Sequence, residues 1–138
     1  MLLTREEFDR QVKARSRGRC VCCSLPAVDA HHILERKLWP DGGYYLLNGA
    51  AVCEVHHWRA ETTLLSVEDV RAAAGIQEIL LPPRFEPTAR YDKWGNRIRA
   101  DGMREPGPLF EDTGCRKVLG HAGLLGLFVP AGTPLAAG

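Results

Sequence analysis

Apolar residues along this chain come in short bursts separated by turn formers, and each burst reads as one small element. Thr4 followed by Glu7 has the spacing of a capping box, and Phe8 and Val12 then recur on one helical face. That pattern predicts a helix from Arg5 to Arg15, ended near Gly18. Ala27–Leu34 suit a short strand carrying His31 and His32, and Leu46–Val52 include a second. Between them, Trp39-Pro40-Asp41-Gly42-Gly43 is rich in turn formers. A helix opening at Cys53 and running to Thr63 puts His57 and Glu61, four apart, on one face.

The pattern then loosens. Ser66 with Asp69 caps a further helix, Val67–Ala74, stopped by Gly75. Pro82-Pro83 interrupts regular structure, and Arg90–Arg99 reads as a hairpin with its turn near Gly95-Asn96. Ala100-Asp101-Gly102 is another turn, and Cys115–Leu119 suit a short helix. The small residues, Pro and Gly from Pro130 to Gly138 predict a tail without structure. Helices and short strands in this mixture predict an α+β fold: a module over residues 1–65 and a C-terminal extension over 66–138. No internal repeat is present.

Composition narrows the function classes. A chain of 138 residues is one domain, or a small domain with an extension. A net charge of +1 excludes nucleic-acid binding by bulk electrostatics, so any such contact needs a local basic face. Five cysteines, three of them at Cys20, Cys22 and Cys23, favour metal ligation in a reducing compartment over a disulfide framework. The N-terminus is charged from Arg5 and lacks an apolar core of signal-peptide type. The apolar run Leu124–Val129 is too short to span a bilayer. The expected setting is therefore the cytoplasm, with no membrane partner.

Two metal-ligand patterns interleave between Cys20 and Glu61. Cys20-x-x-Cys23 and Cys53-x-x-His56 form two short pairs of S and N donors, the set that closes around a structural Zn²⁺. Cys22 lies between ligands and reads as a bystander. The second pattern, His31-His32, Asn48, His57 and Glu61, is too poor in soft ligands for a closed structural site and has the groups of an open hydrolytic one. Successive strand residues point to opposite faces, so His31 and His32 share a site only if the strand bends or ends there.

In order and spacing these residues resemble the HNH (ββα-metal) nucleases of zinc-knuckle type. That family has a cysteine pair, an Asp-His or His-His pair, a Gly-rich loop, an Asn, and a cysteine pair running into a His. Here these are Cys20 and Cys23, His31-His32, Gly42-Gly43, Asn48, and Cys53-x-x-His56-His57. His56 departs from the usual fourth cysteine. Glu61 stands where colicin-type members carry another histidine and where many members have a Lys or Thr nearby.

The resemblance covers roughly the first 65 residues. It implies a small treble-clef-like ββα-metal core and an endonuclease acting on DNA. His32 would be the general base and Asn48 its positioning residue. His31, His57 and Glu61 would hold a catalytic Mg²⁺ or Mn²⁺, and Cys20, Cys23, Cys53 and His56 a structural Zn²⁺. Arg36, Lys37, Arg59, Lys93 and Arg97 would line a phosphate path if the 90–99 hairpin packs beside the catalytic helix. The alternative is a silent zinc module that binds nucleic acid or protein. Such a module needs the four zinc ligands and has no use for His31, His32, Asn48 and His57.

Overall fold

The computed structural model describes residues 1–130. Among them are four α-helices and two small antiparallel sheets, an α+β fold. The expectation of an unstructured tail from Pro130 falls, beyond that residue, outside the described residues.

Helix α1 spans Arg5–Arg15. Its capping box forms as expected: the Glu7 amide donates to Thr4 Oγ1 at 3.1 Å and the Thr4 amide to Glu7 Oε1 at 2.9 Å. Phe8 and Val12, one turn apart, are buried against Ala51. Left-handed Arg17 and Gly18 end the helix and turn the chain into the cysteine knuckle.

Strands β1 (Asp29–His32) and β2 (Gly49–Val52) pair in the register Asp29 with Val52, Ala30 with Ala51, His31 with Ala50 and His32 with Gly49. Both are shorter than the sequence pattern suggests. Leu46–Asn48 form a 3₁₀ turn that leads into β2, because the Asn48 side chain is engaged with the chain at Leu34. Every residue of β2 is buried, which explains its small side chains. At Gly49, a Cβ would overlap Val12 Cγ2 and come within 2.8 Å of Phe8 Cε2, so only glycine lets α1 lie directly on the strand.

Cys53 is the N-terminal cap residue of α2 (Glu54–Glu61), without a side-chain capping bond. Helix α3 (Val67–Ala74) is capped by Ser66 and closed by left-handed Gly75. Its Val67 and Val70 share one core with Ile33, Leu34, Trp39, Ala50 and Ala60, so α3 packs directly on the first module.

The expected hairpin becomes a three-stranded sheet of β3 (Arg90–Tyr91), β4 (Arg97–Ile98) and β5 (Arg104–Glu105). Its β3–β4 turn is organised by buried Asp92. That carboxylate accepts from the Trp94 amide at 2.9 Å, the Asn96 amide at 3.0 Å and Arg104 at 2.9 Å. Helix α4 (Thr113–His121) is longer at both ends than expected, since Asp112 caps it, and Cys115 and Leu119 pack with Trp94.

The turn is also bonded to the first module. The Glu35 amide donates to the Lys93 carbonyl at 2.8 Å, and the Trp94 indole N–H donates to the Glu61 carbonyl at 2.9 Å. No helix among the described residues is long and apolar enough to cross a membrane.

Replacing Gly49 tests the packing of α1 on β2. Gly49→Ala is expected to lower unfolding free energy by about 1–3 kcal/mol, the usual cost of overpacking a tight core. Urea denaturation of zinc-loaded protein measures it, and an unchanged midpoint would contradict the close approach.

Candidate functional site

Four donors from two distant segments meet at the knuckle. Cys20 and Cys23 come from the turn after α1, and Cys53 and His56 from the start of α2; their ligand atoms lie within 4.8 Å of one another. Cys20 Sγ is 3.7 Å from His56 Nδ1, Cys23 Sγ is 3.7 Å from Cys53 Sγ, and Cys53 Sγ is 3.2 Å from His56 Nδ1. A tetrahedral ion with Zn–S bonds of about 2.3 Å sets sulfurs about 3.8 Å apart, so the cluster has the dimensions of a zinc site.

Local electrostatics favour the thiolate at two of the three cysteine donors, Cys20 and Cys53, while burial and the neighbouring Cys20 and Cys53 raise Cys23. Burial opposes ionisation of Cys20, yet backbone hydrogen bonds at Cys53, Cys22 and Cys23 hold its thiol below the ordinary value. Backbone and side-chain hydrogen bonding at His56 does the same for Cys53. Burial instead pushes Cys22 up to about 11, and Cys22 stays outside the cluster.

The second set joins the end of β1 to α2. His31, His57 and Glu61 also have ligand atoms within 4.8 Å of one another. Glu61 Oε1 is 3.2 Å from His57 Nε2 and 3.5 Å from His31 Nδ1, which suits an ion bonded at about 2.0–2.2 Å to each. His31 Nδ1 is buried without a hydrogen-bond partner, a costly state for a ring nitrogen unless an ion or water completes it. Burial pushes His31 down to about 4, leaving the neutral, ligating form at pH 7. Contact with Glu61 raises His57, whereas Glu61 itself is held well below the usual carboxylate range. Burial works against that ionisation, but His31, His57 and Lys93 outweigh it.

His31 and His32 line one cavity of about 330 Å³ despite pointing to opposite faces, because β1 ends at His32. The His32 ring stacks on Phe8 with centroids 4.4 Å apart and lies edge-on to Tyr44 at 5.4 Å. Burial and the Lys93 charge push its pKa down to about 4. Asn48 sits behind this arrangement. Its Oδ1 accepts from the Leu34 amide at 2.9 Å and its Nδ2 donates to the Leu34 carbonyl at 2.8 Å, bridging to the end of the histidine strand.

The basic residues separate. Arg36 lines the cavity, over Tyr44. Lys37, Arg59 and Arg97 are exposed and lie outside its lining; Lys37 pairs with Asp112 at 3.2 Å and Arg97 with Glu86 at 3.6 Å. Lys93 joins Arg36 in the cavity lining, apart from the exposed cations. The Asp92-centred turn directs it inward, where it is 3% exposed and pairs with Glu35 at 2.9 Å and Glu61 at 3.6 Å.

Sequence reading passed over Asp29, whose Oδ2 lies 3.1 Å from His57 Nδ1. It orients the imidazole from behind, as carboxylates do for metal-binding histidines. Its position two residues before His31, on the same face of a strand, was a usable signal. Glu35 left none, since its partner Lys93 is 58 residues away.

Compared with protein-family models, curated proteins and solved structures, the chain matches none.

The purified protein is expected to hold one tightly bound Zn²⁺ per chain, and Cys20→Ser or Cys53→Ser should unfold the N-terminal region. Structural zinc contributes on the order of 10 kcal/mol in small modules. Metal analysis with circular dichroism tests this; a folded Cys53→Ser variant that still carries full zinc would contradict it.

Proposed function

We propose that this chain is a metal-dependent endonuclease of HNH type that hydrolyses DNA phosphodiester bonds. One observation carries the reading: a His/His/Glu donor set and a third, ring-clamped histidine share one cavity, separate from the Cys₃His cluster. Cys20, Cys23, Cys53 and His56 would hold Zn²⁺, and His31, His57 and Glu61 would hold Mg²⁺ or Mn²⁺, both of which accept carboxylate, Mn²⁺ taking imidazole more readily. A divalent ion bound there supplies charge neutralisation at the phosphate and stabilisation of the leaving oxygen.

The chain's own groups do the rest. His32, neutral at pH 7, accepts a proton from a water molecule whose oxygen attacks phosphorus. The P–O bond to the leaving oxygen breaks, that oxygen is protonated from solvent, and His32 returns its proton to solvent. Phe8 and Tyr44 keep the imidazole from turning, and Asn48 anchors the strand end that carries it. Asp29 holds the His57 ring at its remote nitrogen.

Plasmid nicking with a panel of divalent ions tests the reading. His32→Ala is expected to keep zinc, fold and Mn²⁺ affinity while cleavage falls roughly 10²–10⁴-fold, the usual worth of a positioned base. His31→Ala should lose Mn²⁺ affinity and activity together, with partial rescue by excess metal. Cleavage unchanged in both variants would leave the silent zinc module as the better account.

The pH profile is a separate test. Only neutral imidazole accepts a proton, so activity is present above the His32 pKa and lost as pH falls through it. With that pKa near 4, cleavage at saturating metal should be flat around neutrality, its acidic limb well below 6.5. A limb centred at 6.5 or above would contradict His32 as the buried base.

A further inference from the structure

Of the three cations that line the cavity, Arg5, Arg36 and Lys93, only Lys93 is buried. A lysine is almost never buried unless a carboxylate pairs with it, since an ammonium loses most of its hydration there, and Glu35 is that partner at 2.9 Å. The placement of Lys93 is held from both sides: the Glu35 amide bonds its carbonyl at 2.8 Å, and the neighbouring Trp94 indole bonds the Glu61 carbonyl at 2.9 Å. Among the described residues, Lys93 Nζ donates one hydrogen bond, to Glu35 at 2.9 Å, and the Glu61 oxygen at 3.6 Å is beyond hydrogen-bond reach. The ammonium also lies over the Trp94 ring, 4.8 Å from its centroid, and with three hydrogens it keeps donor capacity for a ligand.

Formal charge gives this lysine a task. Three cations and four carboxylates (Asp9, Asp29, Glu35 and Glu61) line the cavity, one net negative charge with its histidines neutral. A divalent ion turns that into one net positive charge, which attracts a phosphodiester anion. Without Lys93 the loaded cavity would be neutral.

We propose that Lys93, delivered from the β3–β4 turn, is the phosphate-binding cation of this site and donates to a non-bridging oxygen of the scissile phosphodiester. Glu35 holds the ammonium in place until substrate arrives. This rests on the phosphodiesterase reading. It gives the segment after residue 66 a direct part in the chemistry, since a group there touches the substrate.

The test uses the full-length, zinc-loaded chain at saturating Mn²⁺, with a plasmid and bis(p-nitrophenyl) phosphate as substrates and inorganic phosphate as inhibitor. Lys93→Met is expected to lose about 10–100-fold in kcat/KM on both substrates, the worth of one hydrogen bond to a charged group. Phosphate inhibition should weaken by a similar factor, while Mn²⁺ affinity by calorimetry stays the same or tightens. Glu35→Gln removes a carboxylate and frees the ammonium, so phosphate inhibition should tighten several-fold.

Unchanged phosphate inhibition in Lys93→Met overturns the assignment. So does a loss of Mn²⁺ affinity that accounts for the loss of activity, which would make Lys93 a prop for Glu61. Should Lys93→Met lose its zinc or its melting transition, Glu35→Gln decides, and phosphate inhibition that weakens or stays the same overturns the proposal. Wild-type protein inert toward both substrates overturns the phosphodiesterase reading itself, whereas active wild type with an unaffected Lys93→Met overturns only the lysine's role.

Discussion

The antiparallel register of Asp29–His32 on Gly49–Val52 decides which face Asp29, His31 and His32 each present. Side chains alternate along a strand, so a slip of one residue would exchange the faces of His31 and His32 and turn Asp29 away from His57. Two contacts hold the register. Gly49 admits α1 against the strand, and Arg15 of α1 donates to the Leu46 carbonyl at 3.0 Å and to the Gly49 carbonyl. Asn48 ties the entrance of β2 to Leu34 just after β1.

Around Glu61 the electrostatics are tightly balanced. One carboxylate oxygen faces two imidazoles and an ammonium within 3.6 Å. This keeps the carboxylate ionised despite its burial, and a carboxylate must be ionised to bind a cation. The same ammonium pushes His31 and His32 toward their neutral forms. Lys93 thereby influences both histidines, although it lies outside the Cys20–Glu61 stretch that carries them.

The two donor clusters are mechanically linked through α2. His56 turns to the cysteine cluster and His57 to the cavity, one residue apart on an eight-residue helix. Drawing Cys53 and His56 to the knuckle sets the start of α2 and thereby the direction of His57 and Glu61. The Cys₃His cluster and the cavity thus share α2 as a common support, with Cys53 and His56 at its start and His57 and Glu61 further along.

Much of this was legible in the sequence because it depends on local rules. The capping box at Thr4 and Glu7, the cap at Ser66 and the stop at Gly75 mark α1 and α3 through neighbouring side chains and backbone amides. The paired spacings at Cys20/Cys23 and Cys53/His56, and the four-residue step from His57 to Glu61, place donors together once a turn and a helix form. Other features rest on contacts between residues far apart in the chain, for which one sequence carries no period or spacing. Burial of Lys93 required the Asp92 turn, the Glu35 carboxylate and the edge of α2 to meet. The third strand β5 is two residues long and exists because Arg104 reaches Asp92 and Thr63. The sequence by itself determined which groups could bind metal and which local elements carry them. Only the tertiary structure decided that a lysine from the C-terminal segment joins them, because that depends on which distant charge is available to balance a buried ammonium.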